Sequence, residues 1–265
     1  SGKGEAAAGD EAAGAAAADP RWAPRRGGAA MSAGGDAGHL SLGQGVEFDA
    51  IRAMVAQWGS RATGIGDDAA LIDLPLGERL VASTDASVEG IHFRREWLSA
   101  EEIGSRAAAA ALSDLAAMAA RPLGLLLALA VPPDWDGELL ELARGVGVAA
   151  ERADCPIVGG NLSRASELSL TITVLGGAAT PLRRSGARPG DLLFVTGRLG
   201  GPGAALTALR SGRGPAAAHL ARFVTPVPRL HEASWLVQQG ACAGFDISDG
   251  LLADVQISMG QTAEN

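Results

Sequence analysis

Apolar positions recur at helical spacing from Val46 to Trp58, where Phe48, Ile51, Met54, Val55 and Trp58 share one face. A strand is predicted over Ala69 to Leu74, a turn at Leu76 to Glu78, and a second strand over Arg79 to Thr84, together a hairpin-like pair. A loop follows from Asp85 to Leu98. Ser99 with Glu102 three residues on forms a capping box that opens an Ala-rich helix to about Ala120, stopped by Arg121-Pro122. Leu123 to Val131 is continuously apolar and predicts a strand buried on both faces. Asp136 to Ala153 predicts a second long helix. Ile157 to Gly160 is short and extended, and Glu167 to Leu175 alternates as a strand with Leu168, Leu170, Ile172 and Val174 on one side. Beyond a boundary near Gly176 to Ala187, strands are predicted at Asp191 to Thr196 and Gly244 to Ser248. Helices are predicted at Ala204 to Arg210, Pro228 to Gln239 and Leu251 to Met259. The alternation gives an α/β (α+β) fold class.

The first 40 residues hold 14 Ala and 9 Gly, with almost nothing to bury. The expected organisation is a low-complexity, disordered tail over 1–41, a first domain over 42–178 and a second over 179–265 that has few strands and looks unfinished.

Composition narrows the chemistry. The 265 residues carry 22 Lys plus Arg against 30 Asp plus Glu, a formal charge of −8. That balance disfavours non-specific nucleic-acid binding. Lys3 is the sole lysine, which excludes a Walker loop, a protein-kinase strand lysine and Schiff-base chemistry. An anionic substrate must therefore be held by Arg, backbone N–H groups or metal ions. Coding bias is the plainer origin of the lysine deficit. The two cysteines, Cys155 and Cys242, are too few and too far apart for a disulfide framework or zinc knuckle, so a reducing cytoplasm is expected. No apolar run is long enough to span a bilayer, and the amino-terminal stretch lacks an apolar signal core.

Several motifs fail. Gly197 to Gly203 gives no Gly-x-Gly-x-x-Gly, Trp235 occupies the second histidine position of a zinc helix begun by His231-Glu232, and Asp246 to Gly250 lacks the spacing of a calcium loop. Four clusters survive: Asp67-Asp68, Ser83-Thr84-Asp85, Ser113-Asp114 and Asp246-Ile247-Ser248-Asp249-Gly250. Adjacent carboxylates repel unless a cation joins them, and oxygen donors without His or Cys suit Mg²⁺. Each also has a plainer reading. Asp67-Asp68 fits a turn, Ser83-Thr84-Asp85 a strand end, and Asp246 or Asp249 a helix cap. Asp114 resists such a reading, because the helix around it is otherwise almost wholly apolar. Arg184 is a candidate phosphate ligand or an ordinary exposed arginine, and His92 a ligand or a packed histidine.

The ordered series GIGDDAA at 64–70, STD at 83–85, EGIHF at 89–93, LSDLAAMAARP at 112–122, VGG at 158–160, RRSGARPGD at 183–191 and DISDGL at 246–251 resembles the thiamine-monophosphate kinase family. That family belongs with aminoimidazole ribonucleotide synthase and selenophosphate synthetase. The resemblance covers residues 42 to 257. It implies a two-domain PurM-like fold whose first domains pair in a homodimer, their strands building a barrel, with ATP in clefts near the interface. It implies transfer of the γ-phosphoryl group of ATP to thiamine monophosphate, giving thiamine diphosphate. The ligands it implies for several Mg²⁺ ions are Asp68, Ser83 through its carbonyl, Thr84, Asp85, Asp114, Asp246 and Asp249. ATP contacts would come from Gly160, Asn161, Arg184 and Ser248, and His92 would touch the thiamine phosphate. No general base is implied, because the acceptor oxygen is already anionic.

The family usually has Asp where this chain has Asn161. It also continues well beyond Asp249, so the expectation for a chain ending at Asn265 is an incomplete second domain, weak stability and poor or no kinase activity. The alternatives are a nucleotide- and Mg²⁺-binding dimer without turnover, or another ATP-using enzyme of the superfamily.

Overall fold

The computed structural model describes residues 45–263. The low-complexity stretch at 1–41 lies outside them. Helix α1 (Val46–Trp58) packs Met54, Val55 and Trp58 inward, and the Trp58 indole Nε1 donates to the Ala143 carbonyl at 2.7 Å. Four strands form an open mixed sheet in the order β1-β4-β2-β3: β1 (Arg79–Val88), β2 (Arg121–Val131), β3 (Ile157–Arg164) and β4 (Ser169–Ala178). β1 and β2 each run antiparallel to β4. β2 and β3 are parallel, so the chain must cross over between them, and α3 (Leu139–Arg152) is that crossover.

Helix α2 (Ala100–Ala117) packs on α3 and on one face of the sheet. The capping box is present: the Glu102 amide donates to Ser99 Oγ, and the Ser99 amide donates to Glu102 Oε2 at 2.8 Å. The core is the layer between these helices and the sheet, where Leu112, Leu115, Leu125, Leu129, Leu142 and Ile172 are buried. The helices approach so closely that a Cβ at Gly104 would overlap the Leu142 carbonyl and one at Gly145 the Glu101 carbonyl. Small residues at this crossing fix α2, and with it Asp114, against α3.

The segment 69–74 is not a strand. It runs irregularly with Leu71 and Leu74 exposed, and β1 pairs with β4 instead of forming a hairpin. Ile72 is half-covered beside Gly124 of β2. β1 also runs on through Asp85 to Val88, which the loop reading had excluded.

After β4 come α4 (Gly201–Arg210), α5 (Ala217–Val224), α6 (Leu230–Gln238) and α7 (Leu251–Ala263). α5 was not predicted. Arg106 of α2 joins it to the core, with its guanidinium over the Phe223 ring and a 2.9 Å bond to the Phe223 carbonyl. The strands predicted at 191–196 and 244–248 do not form. A strand exists by pairing, and among the described residues nothing pairs with either segment. Leu192, Leu193 and Phe194 are consequently exposed. No helix of the described residues is long and apolar enough to cross a membrane.

Candidate functional site

The pleat of β1 divides the Ser83-Thr84-Asp85 triplet. Val81, Ser83, Asp85 and Ser87 are half-buried, whereas Leu80, Ala82, Thr84 and Ala86 are exposed. Ser83 Oγ donates a hydrogen bond to Asp114 Oδ2, so this side faces α2. Thr84 lies on the opposite face, where its Oγ1 accepts from Thr173 Oγ1 across the β1–β4 pairing at 3.0 Å. The Thr84 side chain therefore does not join its two neighbours, which the triplet reading had grouped with it.

Asp114 is the hub. Burial pushes the Asp85 carboxyl above its usual range, and the negative charge of Asp114 adds to this, while His92 opposes it. Asp246 is pushed up in the same way, first by burial and then by Asp114, with Asp254 adding and Arg184 opposing. Arg184 Nη2 stands 3.6 Å from Asp246 Oδ1. Ser83, Asp85, Asp114, Asp246 and Arg184 thus come from β1, α2, the 246–250 loop and the turn at Arg184–Gly186 into one acidic cluster, with His92 within electrostatic reach.

The other predicted residues are not bonded into the cluster. Asp68, Ser248, Asp249, Gly160 and Asn161 are solvent-exposed. Gly160 has a packing reason of its own, since a Cβ there would overlap the Leu127 carbonyl where β3 meets β2. Among the described residues no three His, Cys, Asp or Glu side chains enclose a ready metal cage. The donor chemistry still fits Mg²⁺, which keeps several waters and uses one or two carboxylates plus substrate phosphates.

The loop at 89–93 is a tight hook. The Gly90 amide donates to the Phe93 carbonyl at 2.8 Å, and the His92 amide donates to the Val88 carbonyl at 2.9 Å. His92 Nδ1 accepts from the Val88 amide at 3.1 Å, and the residue is exposed. The hook is clamped from the 133–138 turn. Fully buried Trp135 donates its Nε1–H to Glu89 Oε2 at 2.9 Å, and Arg95 lies over the Trp135 ring at 4.2 Å while pairing with Glu138 and Asp134. Glu89 entered the sequence reading only as part of the EGIHF motif and Trp135 not at all, because an indole–carboxylate pair 46 residues apart leaves no periodic trace. Asp254 was missed too, although an Asp within Leu251 to Val255 carries the same signal that marked Asp114.

The chain matches the family described as AIR synthase related protein, N-terminal domain, over residues 66–178. It is 39% identical over 215 residues to the thiamine-monophosphate kinase of Rhodopirellula baltica, an alignment covering 77% of this chain and 63% of that protein. The crystal structure of thiamine-monophosphate kinase from Stenotrophomonas maltophilia K279a superposes with a TM-score of 0.71 at 33% identity, covering 80% of this chain and 72% of that one. A further solved structure, AaThiL complexed with AMPPCP and TMP, superposes with a TM-score of 0.66 at 30% identity, covering 82% and 70%. The chain spans about three fifths of the length of the first curated relatives it matches.

Proposed function

The chain belongs to the thiamine-monophosphate kinase family, and on that footing we propose that its acidic cluster serves ATP-dependent phosphorylation of thiamine monophosphate to thiamine diphosphate. The observation that carries the reading is the convergence of Ser83, Asp85, Asp114 and Asp246 beside Arg184. In the proposed reaction a phosphate oxygen of thiamine monophosphate bonds to the γ-phosphorus of ATP as the bond to the β,γ-bridging oxygen breaks and ADP leaves. The acceptor oxygen is already anionic near neutral pH, so no general base is assigned. What the site must do is bring two polyanions together and steady the transferring charge.

Asp68, Asp85, Asp114, Asp246 and Asp249, with the Ser83 carbonyl and Thr84, are the proposed Mg²⁺ ligands. Thr84 would take part through its backbone, because its side chain faces away. Bound Mg²⁺ would neutralise phosphate charge, the part a lysine plays elsewhere. Arg184, Ser248, Gly160 and Asn161 would hold ATP, and His92 the thiamine phosphate. The uncovered sheet face bearing Leu80, Ala82 and Ala86, together with exposed Leu71 and Leu76, supports a homodimer closing a barrel between two copies. We assign 42–178 to the nucleotide-binding and dimerisation unit, 179–265 to the second unit, and the protein to the cytoplasm.

The test is turnover of thiamine monophosphate with Mg²⁺ and ATP by the wild-type chain and by Asp114→Asn. A loss of at least ~10²-fold is expected in the variant, and near-wild-type rates at saturating Mg²⁺ would sink the assignment. The unpaired, exposed run Leu192 to Phe194 favours a second reading, a dimer that binds Mg²⁺ and nucleotide without turnover. Thermal stabilisation by an ATP analogue with Mg²⁺, in the absence of any turnover, separates the two.

A further inference from the structure

Asp254 is the most deeply buried charged side chain among the described residues, 1% exposed near the start of α7. Its Oδ2 accepts two backbone hydrogen bonds, from the Ser248 amide and the Gly250 amide, each at 3.1 Å. Those amides bracket Asp249. Gly250 holds φ 116, a conformation that other residues rarely adopt, so the loop turns sharply where the carboxylate grips it. The Asp254 amide in turn donates to the Gly250 carbonyl at 3.1 Å, closing the grip from the other side. A buried carboxyl is costly unless its oxygens are hydrogen-bonded, and here two backbone amides meet that need.

We propose that Asp254 is the positioning residue of the 246–250 loop: its carboxylate locks the backbone from Ser248 to Gly250 so that Asp246, Ser248 and Asp249 are set toward Mg²⁺ and nucleotide before either binds. The inference rests on the proposed kinase reading, which supplies the ligand. Without the grip, the loop must be ordered at the moment of binding, and ordering one residue weakens affinity by roughly ten-fold.

The experiment compares the chain with its Asp254→Ala and Asp254→Asn variants. Calorimetry measures binding of a non-hydrolysable ATP analogue with Mg²⁺, and separately of thiamine monophosphate alone. Hydrogen exchange follows the Ser248 and Gly250 amides. Asp254→Ala is expected to bind the Mg²⁺–nucleotide roughly ten-fold or more weakly, to exchange both amides faster, and to bind thiamine monophosphate as the wild type does. Asp254→Asn, whose amide oxygen can accept the same two bonds, should recover most of the loss. Should Asp254→Ala fail to fold, Asp254→Glu, which displaces the carboxylate by one methylene, takes its place with the same expected losses. Unchanged nucleotide affinity in the Ala variant overturns the inference alone, as does equal loss for both ligands, the mark of a merely structural residue. A wild-type chain that binds no Mg²⁺–nucleotide overturns the kinase reading, and this inference with it.

Discussion

Replacing Trp135 with Phe should loosen the hook that carries His92 more than it disturbs the rest of the fold. Trp135 is fully buried, and its Nε1–H meets Glu89 Oε2 at 2.9 Å. Hydrogen bonds to charged groups are worth about 1.5–3 kcal/mol, and the lower end applies here because Glu89 is only half-buried. The smaller ring also gives up apolar area equal to about two methylenes, roughly 1.5 kcal/mol. The sum, about 3 kcal/mol, should lower Tm by about 6–12 °C for a chain of this size. Part of the stacking with Arg95 survives on the phenyl ring. Urea melts of Trp135→Phe, Glu89→Ala and the double variant give the coupling between the two side chains directly. About 1.5 kcal/mol of coupling is expected. Additivity within about 0.5 kcal/mol would mean that the indole–carboxylate bond does not clamp the hook. If the wild-type chain turns over thiamine monophosphate, KM for that substrate should rise in Trp135→Phe with kcat and the KM for ATP little changed.

Three further outcomes are expected. Asp85 and Asp246 both have folded pKa values raised above the ordinary carboxylate value near 4, so their charged forms oppose folding at neutral pH and that penalty fades as pH falls toward 4. Without Mg²⁺, Asp85→Asn and Asp246→Asn should therefore melt above the wild type at pH 7, with the gap closing by about pH 4; a gap that widens on acidification contradicts this. Burial pushes the Cys155 thiol up to about 12, whereas exposed Cys242 is raised by its hydrogen bond to Asp191. A disulfide reagent at mildly alkaline pH should modify Cys242 alone until the protein is denatured, and faster in Asp191→Asn. Ala119 ends α2 with φ 50, so Ala119→Gly should raise stability by about 1 kcal/mol in denaturant melts.

Elements whose partners lie close in sequence were the legible ones. The helix at Val46 to Trp58 and the Ser99–Glu102 box follow from local spacing, and the strand at Leu123 to Val131 from its unbroken apolar run, although it is not buried on both faces as expected: Leu125, Leu127, Leu129 and Val131 are buried, whereas Leu126, Ala128 and Ala130 on the other face are only half-covered. The stretches 69–74 and 191–196 have strand-like composition but no neighbour to bond, and pairing is not a local property. The acidic clusters were visible because Asp114 sits in an apolar helix and Asp85 beside a strand. Which atoms converge was not visible. Thr84 was grouped with its neighbours by adjacency, and the pleat separates it from them. Trp135 acts through a bond to a distant carboxylate that only the folded chain brings about, whereas Asp254 grips amides four and six residues away and its apolar setting did leave a signal in the sequence.

The alternating pleat of β1 also sets the kind of change this strand can accept. Substitutions act one position at a time, but a single residue inserted or deleted within β1 before Ser83 would shift the whole reading of the strand against β4. Thr84 would then be turned toward Asp114, and Ser83 and Asp85 would be carried out to the open face. Over this stretch the strand should tolerate many exchanges of side chain and almost no change of length.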